Sequence, residues 1–247
     1  MTKFTLSTAI LALLAMIPPA ACGGQAAEKL TLCADGATDY TIVLPETPKA
    51  VQKTAAEELA SFLKQVTGAD FPIISESQVE GQAKDKEKLL VIGPGELSKT
   101  LLASAGTEPE ETLGYDGIII QPVGSSIVFS GHPKRGPLYA VYTFLEDTVG
   151  IRWWTSTESA IPQRPTLKAT VAPTRYAPKV ISREAFYRDS VFSDNAGVFS
   201  ARMKMNGQNN PIPSEYGGHE TFHFLATPFI LFFRRTNTST SIPIGTP

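Results

Sequence analysis

Apolar residues recur along the first two-thirds of the chain with two different periods. Behind Thr47 and Pro48, the residues Val51, Ala55, Leu59, Phe62, Leu63 and Val66 fall three or four apart, the spacing of one helix face. Thr47 stands as the cap, Pro48 as a favoured first helical residue, and Gly68 as the stop. Lys53, Glu57, Glu58 and Lys64 take the wet side, so this helix is built to lie on a sheet. Shorter apolar runs predict strands at 29–33, 40–44, 72–75, 89–93, 117–121 and 126–130. The charged stretch 81–88 between them reads as a loop. A turn over 131–136 leads into a second helix at 137–148, with Leu138, Val141, Tyr142 and Leu145 on one face and Gly150 beyond its end. Further strands are expected at 151–154 and 167–171. Strands mixed with two amphipathic helices predict an α+β fold, a sheet with helices packed on one face, over residues 28–172.

Composition narrows the function classes. The chain has 247 residues, with 22 Lys and Arg against 24 Asp and Glu, and 42% of its residues are apolar. That balance offers no basic footprint for nucleic acid, and the apolar fraction suffices for a packed core. Two cysteines make neither a disulfide scaffold nor a four-cysteine zinc site. No metal and no cofactor are expected. Lys3 followed by an apolar run to Ile17 and then Pro18-Pro19-Ala20-Ala21 reads as an export signal over 1–22. Cys22, between Ala20-Ala21 and Gly23-Gly24, is a candidate lipidation site, although Pro19 stands where a lipoprotein signal usually has Leu, Val or Ile. Ordinary signal cleavage is the alternative. The expected location is therefore exported: periplasmic, anchored in the outer membrane through lipid, or secreted. Should Cys22 be lipidated, Cys33 has no partner and is expected to be a small buried residue in a strand.

Pro162, Pro165, Pro173 and Pro178 mark an extended crossing. Beyond it, Val180–Tyr187 is expected as a strand, and a helix capped by Asp194 or Asn195 should run from Ala196 to Met205, ending at Asn206-Gly207. One strand and one helix fit the first βα unit of a barrel, so residues 173–226 are expected to hold a linker and the opening of a (β/α)8 barrel. Such a barrel needs about 250 residues, far more than follow the linker. After Glu220 no acidic residue occurs, and the last stretch has neither helical nor strand period. Residues 227–247 are expected to be an irregular tail, consistent with a frameshift.

Several motifs occur in a recognisable order. The first helix carries A-A-E-E-L-x-x-F-L-x-x-x-T-G, followed by L-L-V-I-G, D-G-I-I-I and I-V-F-S-G. After these comes R-G-P-L-Y-A-V-Y-x-F-L-E-x-x-x-G-I-R-W-W. Over residues 29–165 this resembles the N-terminal accessory domain of bacterial glycoside hydrolases, as in α-glucuronidases of family 67 and β-hexosaminidases of family 20. It is most similar to the family bearing domain of unknown function 4838, whose barrel opening the segment REAFYRD…ARMKMNG…GGHETFHF also resembles. The resemblance implies a non-catalytic domain that precedes a (β/α)8 barrel, in a protein that hydrolyses O-glycosidic bonds of a polysaccharide. The implied partner is carbohydrate, and the oligomeric state stays open. A carbohydrate-binding or scaffold module without a barrel is the competing reading.

Candidate site residues follow from these motifs. Arg183 matches in position an arginine that binds sugar hydroxyls in family 20 enzymes, and a guanidinium fork suits adjacent hydroxyls or a uronate carboxylate. Its plainer role is an ion pair with Glu184 or Asp189. His219 opens a literal H-E-x-x-H ending at His223, yet Pro211, Pro213, Gly217 and Gly218 stand where the zinc-protease helix would have to be. The family resemblance places this segment on a loop near a barrel mouth, with His219 toward substrate, and a structural loop histidine is the alternative. Trp153 and Trp154 are adjacent, so at most one can face a given ligand, and packing is the expected role. Arg188 and Asp189 read as a structural pair, and His132 takes no role. Glycoside hydrolysis normally needs two carboxyl groups. None of Glu184, Asp189, Glu215 or Glu220 matches them by motif, so no catalytic residue is expected in this chain.

Overall fold

The computed structural model describes residues 27–82, 88–108 and 110–221. The export signal with Cys22, His223 and the tail 227–247 lie outside the described residues. The first strand β1 (Glu28–Cys33) leads to β2 (Thr41–Leu44) and the long helix α1 (Ala50–Thr67). After β3 (Ile73–Ser75) come α2 (Glu76–Gln82), β4 (Leu89–Ile92) and α3 (Glu96–Ser104). The hairpin β5 (Ile118–Val123) and β6 (Ser126–Gly131) is followed by α4 (Gly136–Phe144), which runs into a π-helical turn over Leu145–Val149. Short strands β7 (Arg152–Trp153) and β8 (Ser159–Ala160) form a hairpin. Then follow β9 (Leu167–Val171), β10 (Thr174–Tyr176) and α5 (Ala196–Arg202).

Six strands form one mixed sheet in the order β10-β5-β6-β4-β2-β3. β3, β2, β4 and β6 run parallel, and β5 and β10 are antiparallel to their neighbours. β1 pairs separately with β9, antiparallel, with Leu30 opposite Ala169. Successive strand residues point to opposite faces, and here both faces are apolar. Ile42, Leu90, Ile92, Ile127 and Phe129 pack against α1 and α4, while Val43, Val91, Val128 and Ile119 pack against Leu102 of α3 and Val79 of α2. The expectation of helices on one face is therefore corrected: both faces are covered. The physical reason lies in the strands themselves, because LLVI and IVF are continuous apolar runs, which is what a strand buried on both sides requires.

One boundary also shifts. α1 begins at Ala50, with Lys49 in the N-cap position instead of Thr47, because the Gln52 side chain accepts the Lys49 N–H at 2.8 Å. Gly68 closes the helix in the left-handed region at φ 81°, as the sequence predicts. Cys33 is buried in β1, its thiol donating to the Pro165 carbonyl at 3.2 Å. The expected strand at 180–187 is absent. Arg183 gives its N–H to the Asn206 side chain at 2.8 Å, and no strand ladder runs along this stretch among the described residues. Val180, Ile181 and Phe186 stay exposed, so the burial that would fix a strand is missing.

Candidate functional site

The polar side chains that the sequence scatters over a hundred positions meet where the sheet ends and the segment 177–221 folds back on it. Asp116 sits just before β5 in the left-handed region at φ 54° and is buried. Arg135, fully buried, is brought to it by the tight turn between β6 and α4. A Cβ at Gly136 would come within 2.5 Å of the Gly117 carbonyl, so only glycine lets these two chain passes approach. Arg135 Nε donates to Asp116 Oδ1 at 2.7 Å and Nη2 to Glu220 Oε1 at 2.7 Å. Its Nη1 donates to the carbonyls of Gly217 at 3.2 Å and Gly218 at 3.0 Å.

The other oxygen of Asp116 serves the returning segment. It accepts from Arg183 Nη2 at 2.6 Å and from Asn206 Nδ2 at 2.8 Å. Arg183 further donates from Nε to the Lys204 carbonyl at 3.0 Å and from Nη1 to that of Val180 at 3.1 Å. The backbone follows the same route: the Asn206 N–H donates to the Arg183 carbonyl at 2.9 Å, and the Glu220 N–H to the Asn206 carbonyl at 2.8 Å. Three passes of the chain thus lie side by side. A second clamp holds α5, where Arg202 donates to Glu58 of α1 at 3.1 Å and Tyr142 of α4 shares the same carboxylate at 2.9 Å.

The charges reinforce this arrangement. Burial alone would raise the pKa of Glu220, but hydrogen bonds from Lys134 and Arg135 outweigh it and hold the carboxyl below its ordinary value. Burial, with the nearby Asp116 charge, pushes the Tyr139 phenol well above its ordinary value, so it stays neutral and donates to the Met205 carbonyl. Every carboxylate and guanidinium of the cluster is engaged by a neighbour. Such a set positions the chain and offers no free group to move a proton.

The sequence-derived candidates separate here. Arg183 belongs to the cluster, as an ion pair, but its partner is Asp116 and not the expected Glu184 or Asp189. Glu184 instead accepts the Asn209 N–H at 3.0 Å. Asp189 accepts the Ser156 hydroxyl at 2.9 Å, and the expected pair with Arg188 does not form among the described residues. Arg183 also borders an open depression of about 670 Å³, with Tyr176, Lys179, Ser182, Glu184 and Met205 around it. His219 is exposed and joins none of the described hydrogen bonds or ion pairs. Residues 218–221 are irregular and Glu220 is held by two cations, so no zinc-protease helix forms there. Among the described residues no group of three His, Cys, Asp or Glu side chains could hold a metal ion. Trp153 packs edge-on against Phe62 and Tyr142, each at 5.5 Å, while Trp154 faces out. Nothing in the sequence singles out Asp116, Asn206 or Glu220 as members of one cluster. Their only signals are the D-G and N-G pairs and the H-E of the histidine motif, which say nothing of who meets whom.

No family model matches the chain, and no curated protein matches it. Among solved structures, the chain is similar to a family GH115 4-O-methyl-α-glucuronidase, BtGH115A, described as specific for decorated arabinogalactans. The TM-score is 0.52 at 11% identity, over 76% of this chain and 29% of that one. The likeness is one of fold, to a part of a glycoside hydrolase that is much longer than this chain.

Proposed function

We propose that this chain is the N-terminal part of an exported carbohydrate-active enzyme that hydrolyses O-glycosidic bonds. Residues 28–172 are its accessory domain and 173–226 the linker and opening of a (β/α)8 barrel, in the manner of families 67 and 20 and the domain of unknown function 4838. The observation that carries this reading is the fold likeness to a glucuronidase across three-quarters of the chain. The side-by-side passes at Arg183, Asn206 and Glu220 support the barrel opening, since a barrel begins as adjacent passes joined by backbone hydrogen bonds. By itself the chain is inactive, because Asp116 and Glu220 are engaged in ion pairs, and no two carboxyl groups of the chain match by motif the pair that glycoside hydrolysis normally requires. Glycan contact falls to the depression beside Arg183 and to His219. The export signal delivers the protein to the periplasm, to the outer membrane or into the medium, with Cys22 as the candidate lipid anchor and ordinary signal cleavage as the alternative.

The test is to sequence the coding region through and beyond codon 247, then express the repaired reading frame. Further barrel strands and hydrolysis of a uronate-bearing polysaccharide by the longer product, against none by this chain, are the expected results. A true stop with no barrel downstream would overturn the enzyme reading in favour of a binding module.

A further inference from the structure

Arg183 and His219 lie on different passes of the returning segment, yet both passes lead back to one carboxylate of the accessory domain. From Asp116 Oδ2 the route is direct. Arg183 Nη2 donates to it at 2.6 Å, and Asn206 Nδ2 donates beside it at 2.8 Å while Asn206 Oδ1 accepts the Arg183 N–H at 2.8 Å. From Oδ1 the route takes one step more. Arg135 Nε donates to it at 2.7 Å, and the same guanidinium holds the Gly217 and Gly218 carbonyls and the Glu220 carboxylate, on either side of His219. Asp116 and Arg135 are both buried, so water cannot stand in for either partner.

This junction requires a carboxylate. An ionised aspartate only accepts, and here it accepts from three side chains divided between its two oxygens. Asparagine has the same shape and tolerates the left-handed backbone at φ 54°. Its amide nitrogen, however, donates, and would meet one of the two branches donor to donor. We infer that Asp116 is a positioning residue of the barrel opening: through its two oxygens the accessory domain sets Arg183 and the loop carrying His219 from a single point. The accessory domain is then part of the frame of the site, not an appendage to it. For its functional meaning the inference rests on the reading of 173–226 as a barrel opening with Arg183 and His219 toward glycan. A second link between the passes exists in the backbone, where the Asn206 N–H donates to the Arg183 carbonyl and the Glu220 N–H to the Asn206 carbonyl. The experiment has to separate the two.

Proton–nitrogen NMR of the whole chain, without sugar, does so. In Asp116→Asn the Nε–H resonances of Arg135 and Arg183 should both move, a signature that a general loss of stability does not give. Amide exchange should rise about tenfold or more at Arg183 and Asn206 and also at Gly217 and Gly218, since each branch loses an ionised acceptor. Glu220→Gln keeps Asp116 and should raise exchange at Gly217 and Gly218 alone. Arg135→Lys leaves Asp116 a cation and should do the same, and it carries the test if Asp116→Asn does not fold. A response of one branch only in Asp116→Asn would overturn the joint positioning. A rise at Arg183 and Asn206 in Glu220→Gln or Arg135→Lys would assign the link to the backbone and overturn it as well. Either failure leaves the carbohydrate reading standing, whereas a true stop without a downstream barrel would remove that reading and leave the measured role of Asp116 intact.

Discussion

The sheet and the returning segment 177–221 are held by different balances of force, although Phe199, Ala201 and Ile212 of the segment also enter the apolar core. In the sheet, Val43, Val91, Ile119 and Val128 on one face and Ile42, Leu90, Ile92 and Phe129 on the other are buried against helices. The returning segment keeps Val180, Ile181, Phe186 and Phe192 in solvent and is fastened by Asp116, Arg135, Asn206 and Glu220. Apolar burial is additive and tolerant, so many residues share the load. A buried ionic cluster is concentrated, and removing one member withdraws a partner from a charge that stays buried.

That contrast can be broken most sharply at Arg135. Replacing it with alanine takes one cation from both Asp116, left with Arg183 and Asn206, and Glu220, left with Lys134, and should cost about 3–5 kcal/mol in urea unfolding. Hydrogen exchange should open first at residues 180–221, with the sheet amides following only at global unfolding. Leu63→Ala, inside the apolar layer of α1, should cost about 2–5 kcal/mol but raise exchange evenly across the sheet. Equal exchange patterns in the two variants would erase the distinction between the regions.

A smaller effect is expected at the second clamp. Glu58→Gln removes the charge that Arg202 and Tyr142 share and should cost about 1–3 kcal/mol, seen as earlier melting. Limited proteolysis would show α5 released ahead of α1. Smallest is the pH dependence through Glu220. Its pKa is depressed in the folded protein, so its stabilisation is present above the unfolded carboxyl value and is lost as pH falls through the folded one. Acid should therefore loosen the Gly217–Glu220 end, and Glu220→Gln should flatten that part of the stability profile. A wild-type profile identical to that of the variant would remove Glu220 from the clamp.

Much of the fold is legible in the chain's own pattern. α1 and α4 announce themselves by spacing, Gly68 and Gly150 mark where the two helical stretches end, and β4 and β6 stand out as apolar runs. α3 is not legible. It has nine residues, and only Ser98 and Leu102 among them are buried, so its apolar stripe is too sparse to read. α2 lies partly in a stretch whose charges suggest a loop, and Val79 is its anchor. Val180–Tyr187 misleads in the other direction, because a β-like composition makes no strand without a neighbour to pair with.

Period and alternation are local properties of a chain, and they suffice for the elements of the sheet layer and for placing Trp153 and Trp154 on opposite sides. Local chemistry also requires an acidic partner for Arg183 wherever it is not free for sugar. That the partner is Asp116, 67 positions away, and that Arg135 and Glu220 complete the set, emerges only once the chain is folded. Ion pairing depends on distance and burial in space, and no spacing along the chain encodes either one.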